Sequence, residues 1–180
     1  MAFATLYRFR IDVSDVDRGF YEALDFRAAL HPSEGLPYLV TRVLAYALNF
    51  REGLVFSPGG LSDPDAPCMK VDAASGGIDL WIEIGNPSAR KLHKASKAAN
   101  LVRVYTYKDP ALLMADIAAE KVHKADSLEN FSLDPRFLEK LIDGLEKDNA
   151  WNLMVSEGNL VLSFGTNRVE QSEVKRHFLR

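Results

Sequence analysis

The sequence predicts a mixed α/β fold: a mixed β-sheet flanked by helices, with a β-hairpin near each end of the chain. Three observations predict this class. Apolar and polar residues alternate as in strands, apolar residues at helical spacing lie between the alternating segments, and two Asp-Pro pairs mark helix starts. The 180 residues are 47% hydrophobic and 26% charged, as in an ordinary globular protein. We expect one domain over residues 1–180.

The chain opens with a predicted β-hairpin. Residues 3–13 and 20–30 alternate in period two, and residues 15–19 form the turn between them. A helix follows, because apolar residues recur at helical spacing between residues 36 and 48. Ser33 is the expected N-cap of this helix.

The centre of the chain predicts a βαβ unit. Residues 57–77 are rich in proline, glycine and aspartate, which is typical of a loop with at most one short strand. Residues 78–84 alternate, and large apolar residues on both faces indicate a strand inside the sheet. A lysine-rich helix near residues 88–99 and a strand at 101–107 follow, so the two strands are expected to be parallel.

Two Asp-Pro pairs predict the remaining helices. Asp109 and Asp134 each place a capping carboxylate before a proline at the first helical position. A strand is expected near residues 121–131. A closing hairpin is predicted around residues 157–159, and the polar tail from Thr166 is expected to pack only loosely.

The composition limits the cellular compartments and the binding partners that the sequence predicts. A single cysteine, Cys68, excludes an internal disulfide and a thiolate zinc site. Since the chain has neither a signal-peptide pattern nor an apolar run of ~20 residues, we expect a cytoplasmic protein without a membrane partner. The net charge of −3 gives no global attraction to nucleic acid, but a local basic surface can still bind phosphate.

The segment at residues 77–87, with the basic run that follows it, carries most of the chemical information. Glu83 lies at the carboxyl end of the predicted internal strand, where ligands gather in α/β sheets. Asp79 shares its face, but four strand residues separate their Cα atoms by ~13–14 Å, so one ion cannot bind both carboxylates. A carboxylate on a buried strand needs a partner, and acidic groups beside lysines are typical of phosphodiester chemistry with a divalent metal.

Several short motifs follow one another in a recognisable order and spacing. They are His31-Pro32-Ser33-Glu34, Gly60-Leu61-Ser62, Asp65 with Pro67, Asp79-Leu80-Trp81-Ile82-Glu83 with Gly85 and Pro87, and Lys94-Ala95. Together they resemble the YaeQ family of small bacterial proteins, over most of the chain. That family looks like a variant of the PD-(D/E)XK nuclease fold, and the resemblance implies no established substrate.

The resemblance implies a set of site residues. Asp65 after a proline, with the Glu83 segment 18 residues later, is similar to a PD-(D/E)XK signature whose lysine is replaced by Gly85. Asp65 and Glu83 would hold Mg²⁺ or Mn²⁺. Lys94 would stabilise developing phosphate charge, and Glu34 or Asp79 would add a ligand or orient water.

Structural interpretations stay open beside these roles. Asp65 suits a turn, and Asp79 suits an ion pair with a neighbouring cation at the strand start. Glu34 suits the first turn of a helix, where a negative charge favours the helix dipole. Lys94 belongs to a basic run that is typical of a solvated helical face. Three aromatic residues suit either a base-stacking platform or the sheet core: Trp81, Tyr105 and Tyr107.

The leading interpretation is a divalent-metal-dependent, nuclease-like phosphodiesterase that acts on nucleic acid. The alternative is a non-catalytic nucleic-acid-binding or regulatory module that retains the fold. Three features favour that alternative: Gly85, the negative net charge, and the presence of Ala66 and Cys68 where acidic residues are common in the family. A third interpretation is hydrolysis of a smaller phosphoester. The sequence determines neither substrate, metal nor oligomeric state.

Overall fold

The computed structural model describes residues 3–58 and 63–180. Its helices and strands run, in chain order, β1 (Thr5–Asp15), β2 (Phe20–Leu30), α1 (Leu36–Asn49), β3 (Val55–Phe56), β4 (Met69–Asp72), β5 (Ile78–Ile84), α2 (Ala89–Ala98), β6 (Ala99–Thr106), α3 (Pro110–Ala119), β7 (Glu129–Ser132), α4 (Pro135–Asp143), β8 (Asp148–Ser156), β9 (Asn159–Phe164), β10 (Arg168–Glu173) and β11 (Lys175–His177). A short 3₁₀ helix, Ala125–Ser127, precedes β7.

The strands form two mixed sheets with helices, which confirms the mixed α/β class but replaces the single expected sheet with two. The chain divides into two compact units. One contains Met1–Leu48 and Leu133–Lys175, and the other contains Asn49–Ser132 and Arg176–Arg180. The expectation of one domain over residues 1–180 stays a prediction.

The first unit is built on a five-stranded sheet in the order β10-β9-β8-β1-β2. β1 pairs with β2 as the predicted antiparallel hairpin and with β8 in parallel. The period-two pattern of β1 is confirmed, because Phe9, Ile11 and Val13 are all buried. In the closing hairpin, Glu157 and Gly158 have φ angles of 53° and 75°, and a type I′ turn needs positive φ at both central residues.

Two expectations for this unit were wrong at element ends. α1 begins at Leu36, so Ser33 is not its N-cap. The amide of Glu34 instead donates to the carbonyl of His31, and Gly35 accepts the early helical bond from Leu39. The polar tail does not pack loosely: β10 pairs with β9, and β11 joins the second sheet.

The second unit is built on a six-stranded sheet in the order β11-β7-β6-β5-β4-β3. β5 lies between antiparallel β4 and parallel β6, so the predicted internal strand and βαβ unit are confirmed. The strand expected within 121–131 is only the short β7. Leu92 and Ala95 of α2 pack with Trp81 in a buried cluster on this sheet. No helix within the described ranges is long and apolar enough to cross a membrane.

The carboxyl edge of β5 and β6 carries the starts of two helices. Ser88 caps α2 and Asp109 caps α3, the latter as the Asp-Pro pair predicts. Asn86 joins the two loops, since the Thr106 hydroxyl donates to its Oδ1 at 2.6 Å and its Nδ2 donates to the Asp109 carbonyl at 3.1 Å. The backbone at this edge is therefore held by side-chain hydrogen bonds from both loops.

Candidate functional site

Glu83 occupies the buried carboxyl end of β5. Only 4% of the residue is exposed. Trp81, two residues earlier and therefore on the same strand face, donates from its indole Nε1 to Glu83 Oε1 at 2.7 Å. Lys91 reaches from α2, with its Nζ 3.1 Å from Glu83 Oε2. The carboxylate thus has the partners that its burial requires.

Burial raises the pKa of the Glu83 carboxyl above its ordinary value of 4.5. The Lys91 ammonium, the Trp81 indole and the Cys68 amide oppose this shift without cancelling it. A low-dielectric surrounding disfavours the charged form, while opposite charge and hydrogen bonding favour it. The Lys91 ammonium therefore favours the ionised form of Glu83, which burial alone would disfavour.

Asp65 reaches the same edge of the sheet through strand pairing. β4 runs antiparallel to β5 with Met69 opposite Ile82, so the segment that leads into β4 lies at the Glu83 end of β5. Asp65 Oδ1 lies 3.0 Å from the Nζ of Lys94 on α2. The Asp65 side chain is 66% exposed, and the hydrogen bond from Lys94 lowers the pKa of its carboxyl. The turn interpretation also holds, because the Asp65 amide donates to Asp63 Oδ1.

Asp65 and the two lysines, but not Glu83, border an open pocket of about 350 Å³ at the start of α2. Its lining consists of Pro64, Asp65, Ser88, Arg90, Lys91 and Lys94. Three cations face one carboxylate there. The Ser88 Oγ accepts the amide hydrogen of Lys91 at 3.2 Å and so caps the helix. A helix start with surplus positive charge attracts anions.

Lys91 is the functional candidate that the sequence interpretation missed. Lys94 was named from the family motif, yet Lys91, one helical turn earlier, is the lysine that contacts Glu83. Its side chain is 17% exposed, whereas that of Lys94 is 51% exposed. The available signal was helical periodicity: residues three apart share a helix face, so a face containing Lys94 also contains Lys91.

Gly85 stands where the resemblance to a PD-(D/E)XK signature predicts a lysine. Its φ of 84° lies in the left-handed region, where a side chain is strained. A Cβ at this position would lie 3.5 Å from Cε1 of Tyr107, which follows β6. The backbone turn after Glu83 therefore favours glycine, and an ammonium reaches Glu83 from the helix instead.

Asp79 stays away from the pocket, at the opposite end of β5. Arg51 Nη2 lies 2.5 Å from its Oδ2, and Asn100 Nδ2 donates to its Oδ1 at 3.1 Å. The Asn100 hydrogen bond, and then that of Arg51, lowers the pKa of the Asp79 carboxyl. This geometry matches the structural interpretation, an ion pair at the strand start.

Glu34 belongs to the first unit and has structural partners there. Its side chain is fully buried, with Oε2 accepting the His31 amide at 3.2 Å and Oε1 lying 3.8 Å from Arg42 Nη1. It precedes α1 by two residues, so it is not in the first helical turn. A role for Glu34 in phosphodiester chemistry stays a prediction.

Two of the three aromatic residues named for base stacking, and two further side chains of this unit, have structural surroundings. Trp81, Tyr105 and Cys68 are buried. His93 Nδ1 accepts the amide hydrogen of His123 at 3.0 Å, which is a structural contact on α2. The Gly60-Leu61-Ser62 motif lies outside the described residues.

Two carboxylates, one in the pocket lining and one behind it, suit a hard divalent cation in type: Asp65 lines the pocket, and the buried Glu83 contacts the lining residue Lys91. Asp65 and Glu83 supply carboxylate oxygens, which Mg²⁺ and Mn²⁺ prefer. Each carboxylate contacts an ammonium, so an ion has to displace or rearrange Lys94 and Lys91. Within residues 3–58 and 63–180, no group of three or more His, Cys, Asp or Glu side chains is arranged to hold a metal.

Comparison with known sequences identifies the family of this chain. The family model described as YaeQ protein matches residues 1–173. Proteins named "Uncharacterized protein YaeQ" from Salmonella typhi and Escherichia coli K12 are each 30% identical over 168 residues, which cover 93% of this chain and 92% of theirs. Those names state no activity.

Two crystal structures of YaeQ proteins share the fold. The protein from Xanthomonas axonopodis pv. citri superposes with a TM-score of 0.89 at 25% identity, over 99% of this chain and 100% of that one. The protein from Pseudomonas syringae superposes with a TM-score of 0.86 at 28% identity, over 96% of this chain and 95% of that one.

Proposed function

The chain belongs to the YaeQ family, and we propose that it is a nuclease-like phosphodiesterase that acts on nucleic acid with Mg²⁺ or Mn²⁺. One observation carries the proposal: Lys91 contacts the buried Glu83 and also lines a cation-rich pocket. A carboxylate with a raised pKa beside a lysine in a pocket is a common feature of catalytic sites.

The pocket is suited to a phosphodiester group. Arg90, Lys91 and Lys94 present positive charge beside the amides at the start of α2. A phosphate there competes with Asp65 for Lys94 and with Glu83 for Lys91, so binding rearranges both ion pairs. Charge-assisted hydrogen bonds from ammonium groups to phosphate oxygens are strong enough to drive such an exchange.

The catalytic roles follow from these positions. Asp65 and Glu83 would hold the divalent ion, which when bound supplies positive charge that polarises the scissile phosphate. Lys91 and Lys94, once released from the carboxylates, hold phosphate oxygens and stabilise the charge that develops in the transition state. In this proposal Lys91 takes the charge-stabilising role of the lysine in a PD-(D/E)XK signature.

We propose the PD-(D/E)XK fold variant for the second unit on the same grounds. Asp65 precedes β4, and Glu83 ends the antiparallel β5 beside it. This order of an acidic residue, a strand pair and a second acidic residue supports the assignment. The lysine is displaced to α2, because the φ of Gly85 disfavours a side chain after Glu83.

A second candidate function is nucleic-acid binding without hydrolysis. It is favoured by the two ion pairs, since lysines neutralise both carboxylates in the absence of a metal. The net charge of −3 is compatible with such a module, because Arg90, Lys91 and Lys94 still give the pocket a local positive charge.

The decisive experiment measures binding and cleavage in parallel. Single-stranded DNA, duplex DNA and RNA are incubated with the purified protein in Mg²⁺, in Mn²⁺ and in EDTA. We expect cleavage only with a divalent ion and a loss of about 100-fold or more in Glu83→Gln, which keeps the side-chain shape but removes the charge. Asp79→Asn, on the same strand face, is the matched control and should retain activity.

Other outcomes separate the two functions. If Lys91→Met binds nucleic acid more weakly than wild type and no condition gives cleavage, that result would establish the binding module instead. Absence of both binding and cleavage with all three nucleic acids would reject both candidates.

A further inference from the structure

The turn after α3, residues 121–124, carries two lysines in an unusual backbone conformation. Lys121 and Lys124 have φ angles of 49° and 48°, in the left-handed region that favours glycine or asparagine. Lys121 directly follows Glu120, the C-cap of α3, where helices commonly end in a left-handed residue. The end of the helix therefore explains the first of these conformations, but it does not explain why lysine occupies both positions.

Both lysines are accessible to a ligand. Each is exposed, and among the described residues of the chain neither forms an ion pair with an acidic side chain. Glu120 and Asp126, which bracket the turn, are exposed as well and pair with neither lysine there. Strained backbone conformations are concentrated at ligand-binding and catalytic sites. The turn therefore combines accessible positive charge with a feature that is typical of binding sites.

His93 joins this turn to α2. Its Nδ1 accepts the amide hydrogen of His123 at 3.0 Å, and the centroids of the two rings lie 6.1 Å apart. His123 lies between the two lysines in the chain, so both lysine Cα atoms are within ~8 Å of its own Cα atom. The turn thus lies beside the flank of α2 that carries His93.

The exposed face of α2 connects that flank to the pocket. Lys91, which lines the pocket, and His93 are two residues apart and therefore lie on nearly opposite sides of the helix. Arg90, Lys94 and Lys97 recur at spacings of three and four residues, so they share the exposed face between those sides. The helix contains no aspartate or glutamate. An exposed cationic surface therefore runs from the pocket, across α2, to the turn.

We infer that the 121–124 turn is a second phosphate-binding site, which holds the backbone of a polynucleotide while another of its phosphates occupies the pocket at the start of α2. This inference rests on the proposed phosphodiester site and narrows its substrate to a strand of more than two nucleotides. A nucleic-acid backbone carries a negative charge at every nucleotide, which complements cations arranged in series. A phosphoester of one or two nucleotides reaches the pocket alone, because α2 lies between the two sites.

The test uses a variant that removes the charge and relaxes the backbone together. Lys121→Asn/Lys124→Asn places at both positions a residue that tolerates the left-handed region, so its melting temperature should equal or exceed that of wild type. The matched control is Lys140→Asn/Lys147→Asn, which removes the same two charges from exposed positions of the first unit.

Fluorescence anisotropy in EDTA measures the affinity for a labelled oligothymidylate of about 20 nucleotides and for a labelled thymidine dinucleotide with a 5′-phosphate. For the oligothymidylate, Lys121→Asn/Lys124→Asn should lower the slope of log affinity against log salt by about 1.4 and weaken binding about 25-fold in 0.1 M salt, because each cation in contact with a single strand contributes about 0.7 to that slope. The dinucleotide affinity should not change, and the control should match wild type with both probes.

Three results would overturn the second site. The oligothymidylate affinity is the same in wild type and Lys121→Asn/Lys124→Asn, the control loses as much affinity as that variant does, or wild type binds both probes equally well. The pocket stands in each case if Lys91→Met still weakens dinucleotide binding. If wild type binds neither probe, the phosphodiester site fails, and the second site fails with it.

A conservative variant keeps the test decisive even if the asparagine variant fails to fold. Lys121→Arg/Lys124→Arg retains both charges, so its oligothymidylate affinity and its salt slope should equal those of wild type. A loss of affinity in this variant at an unchanged melting temperature would show that charge at the turn is not what binds the strand.

Discussion

The two ends of β5 place chemically similar carboxylates in opposite surroundings. Asp79 and Glu83 lie on one strand face, yet the Asp79 side chain is 42% exposed and that of Glu83 only 5%. Asp79 pairs with Arg51 in solvent, and its pKa is lowered. Glu83 pairs with Lys91 under cover of α2, and its pKa is raised. Position along the strand, not residue type, separates a structural ion pair from a candidate catalytic one.

The physical difference is the dielectric surrounding of each pair. At the Asp79 end, water solvates both partners, so the ion pair adds little to stability and costs little to break. At the Glu83 end, the two charges depend on each other, because either one alone would be buried without compensation. Variants and titrations at opposite ends of β5 test this contrast.

The largest expected effect follows removal of the buried cation. Lys91→Met should lower the free energy of unfolding by about 3 kcal/mol at neutral pH, because Glu83 is left charged and buried. Arg51→Met, at the exposed end of β5, should change it far less. Urea unfolding measures both. The double variant Lys91→Met/Glu83→Gln should recover much of the loss, and failure to recover would show that Lys91 acts through packing alone.

Backbone strain should be equal at the two ends of the strand. Gly77 and Gly85 flank β5 with φ angles of 83° and 84°, and an added Cβ would clash at neither position. Each glycine-to-alanine change should therefore cost about 1–2 kcal/mol in the free energy of unfolding. A much larger loss for Gly85→Ala, measured by the same urea titration, would mean that the contact with Tyr107 is tighter than 3.5 Å implies.

A divalent ion should distinguish the two carboxylates directly. At ten times its dissociation constant, Mn²⁺ should stabilise wild type by about 1.4 kcal/mol, which corresponds to a rise of about 3–6 °C in melting temperature. Asp79→Ala should show the same rise and Glu83→Ala none. Equal shifts in wild type and Glu83→Ala would remove Glu83 from the set of metal ligands.

The smallest effect is the pH dependence of stability, because Lys91 and Trp81 oppose the shift at Glu83. Between pH 4.5 and the raised folded pKa, the folded state binds the Glu83 proton more readily than the unfolded state does. The contribution of Glu83 is therefore complete below pH 4.5 and is lost as pH rises through the folded pKa. The stability of wild type relative to Glu83→Gln should fall over that window.

Asp79 should show the opposite sign. Its folded pKa lies below its ordinary value of 3.8, so its contribution is complete above pH 3.8 and is lost as pH falls through the folded pKa. The stability of wild type relative to Asp79→Asn should thus be flat from pH 5 to 8 and decline only in acid. Urea titrations across pH test both curves, and parallel curves for the two pairs would contradict the contrast.

Most element positions were predictable because their signals are local. The strand at 78–84, the Asp-Pro starts of α3 and α4 and both hairpins were confirmed. The start of α1 was not, because hydrogen bonds around Glu34 and Gly35 override the capping preference of Ser33. The tail strands were missed because their sequence is polar: β10 pairs with the neighbouring β9 although alternate residues stay exposed, and β11 pairs with β7, which is distant in the chain.

The sequence by itself determined the family motifs, the internal strand β5 and the separation of Asp79 from Glu83, because strand geometry acts over a few residues. Only the tertiary structure decided which carboxylate meets which cation. Asp65 reaches the Glu83 end through the antiparallel pairing of β4, and Lys91 reaches Glu83 through the crossover of α2. Such contacts depend on sheet register and helix orientation, and a one-residue slip in register would turn the side chains to the other face of the sheet and break them.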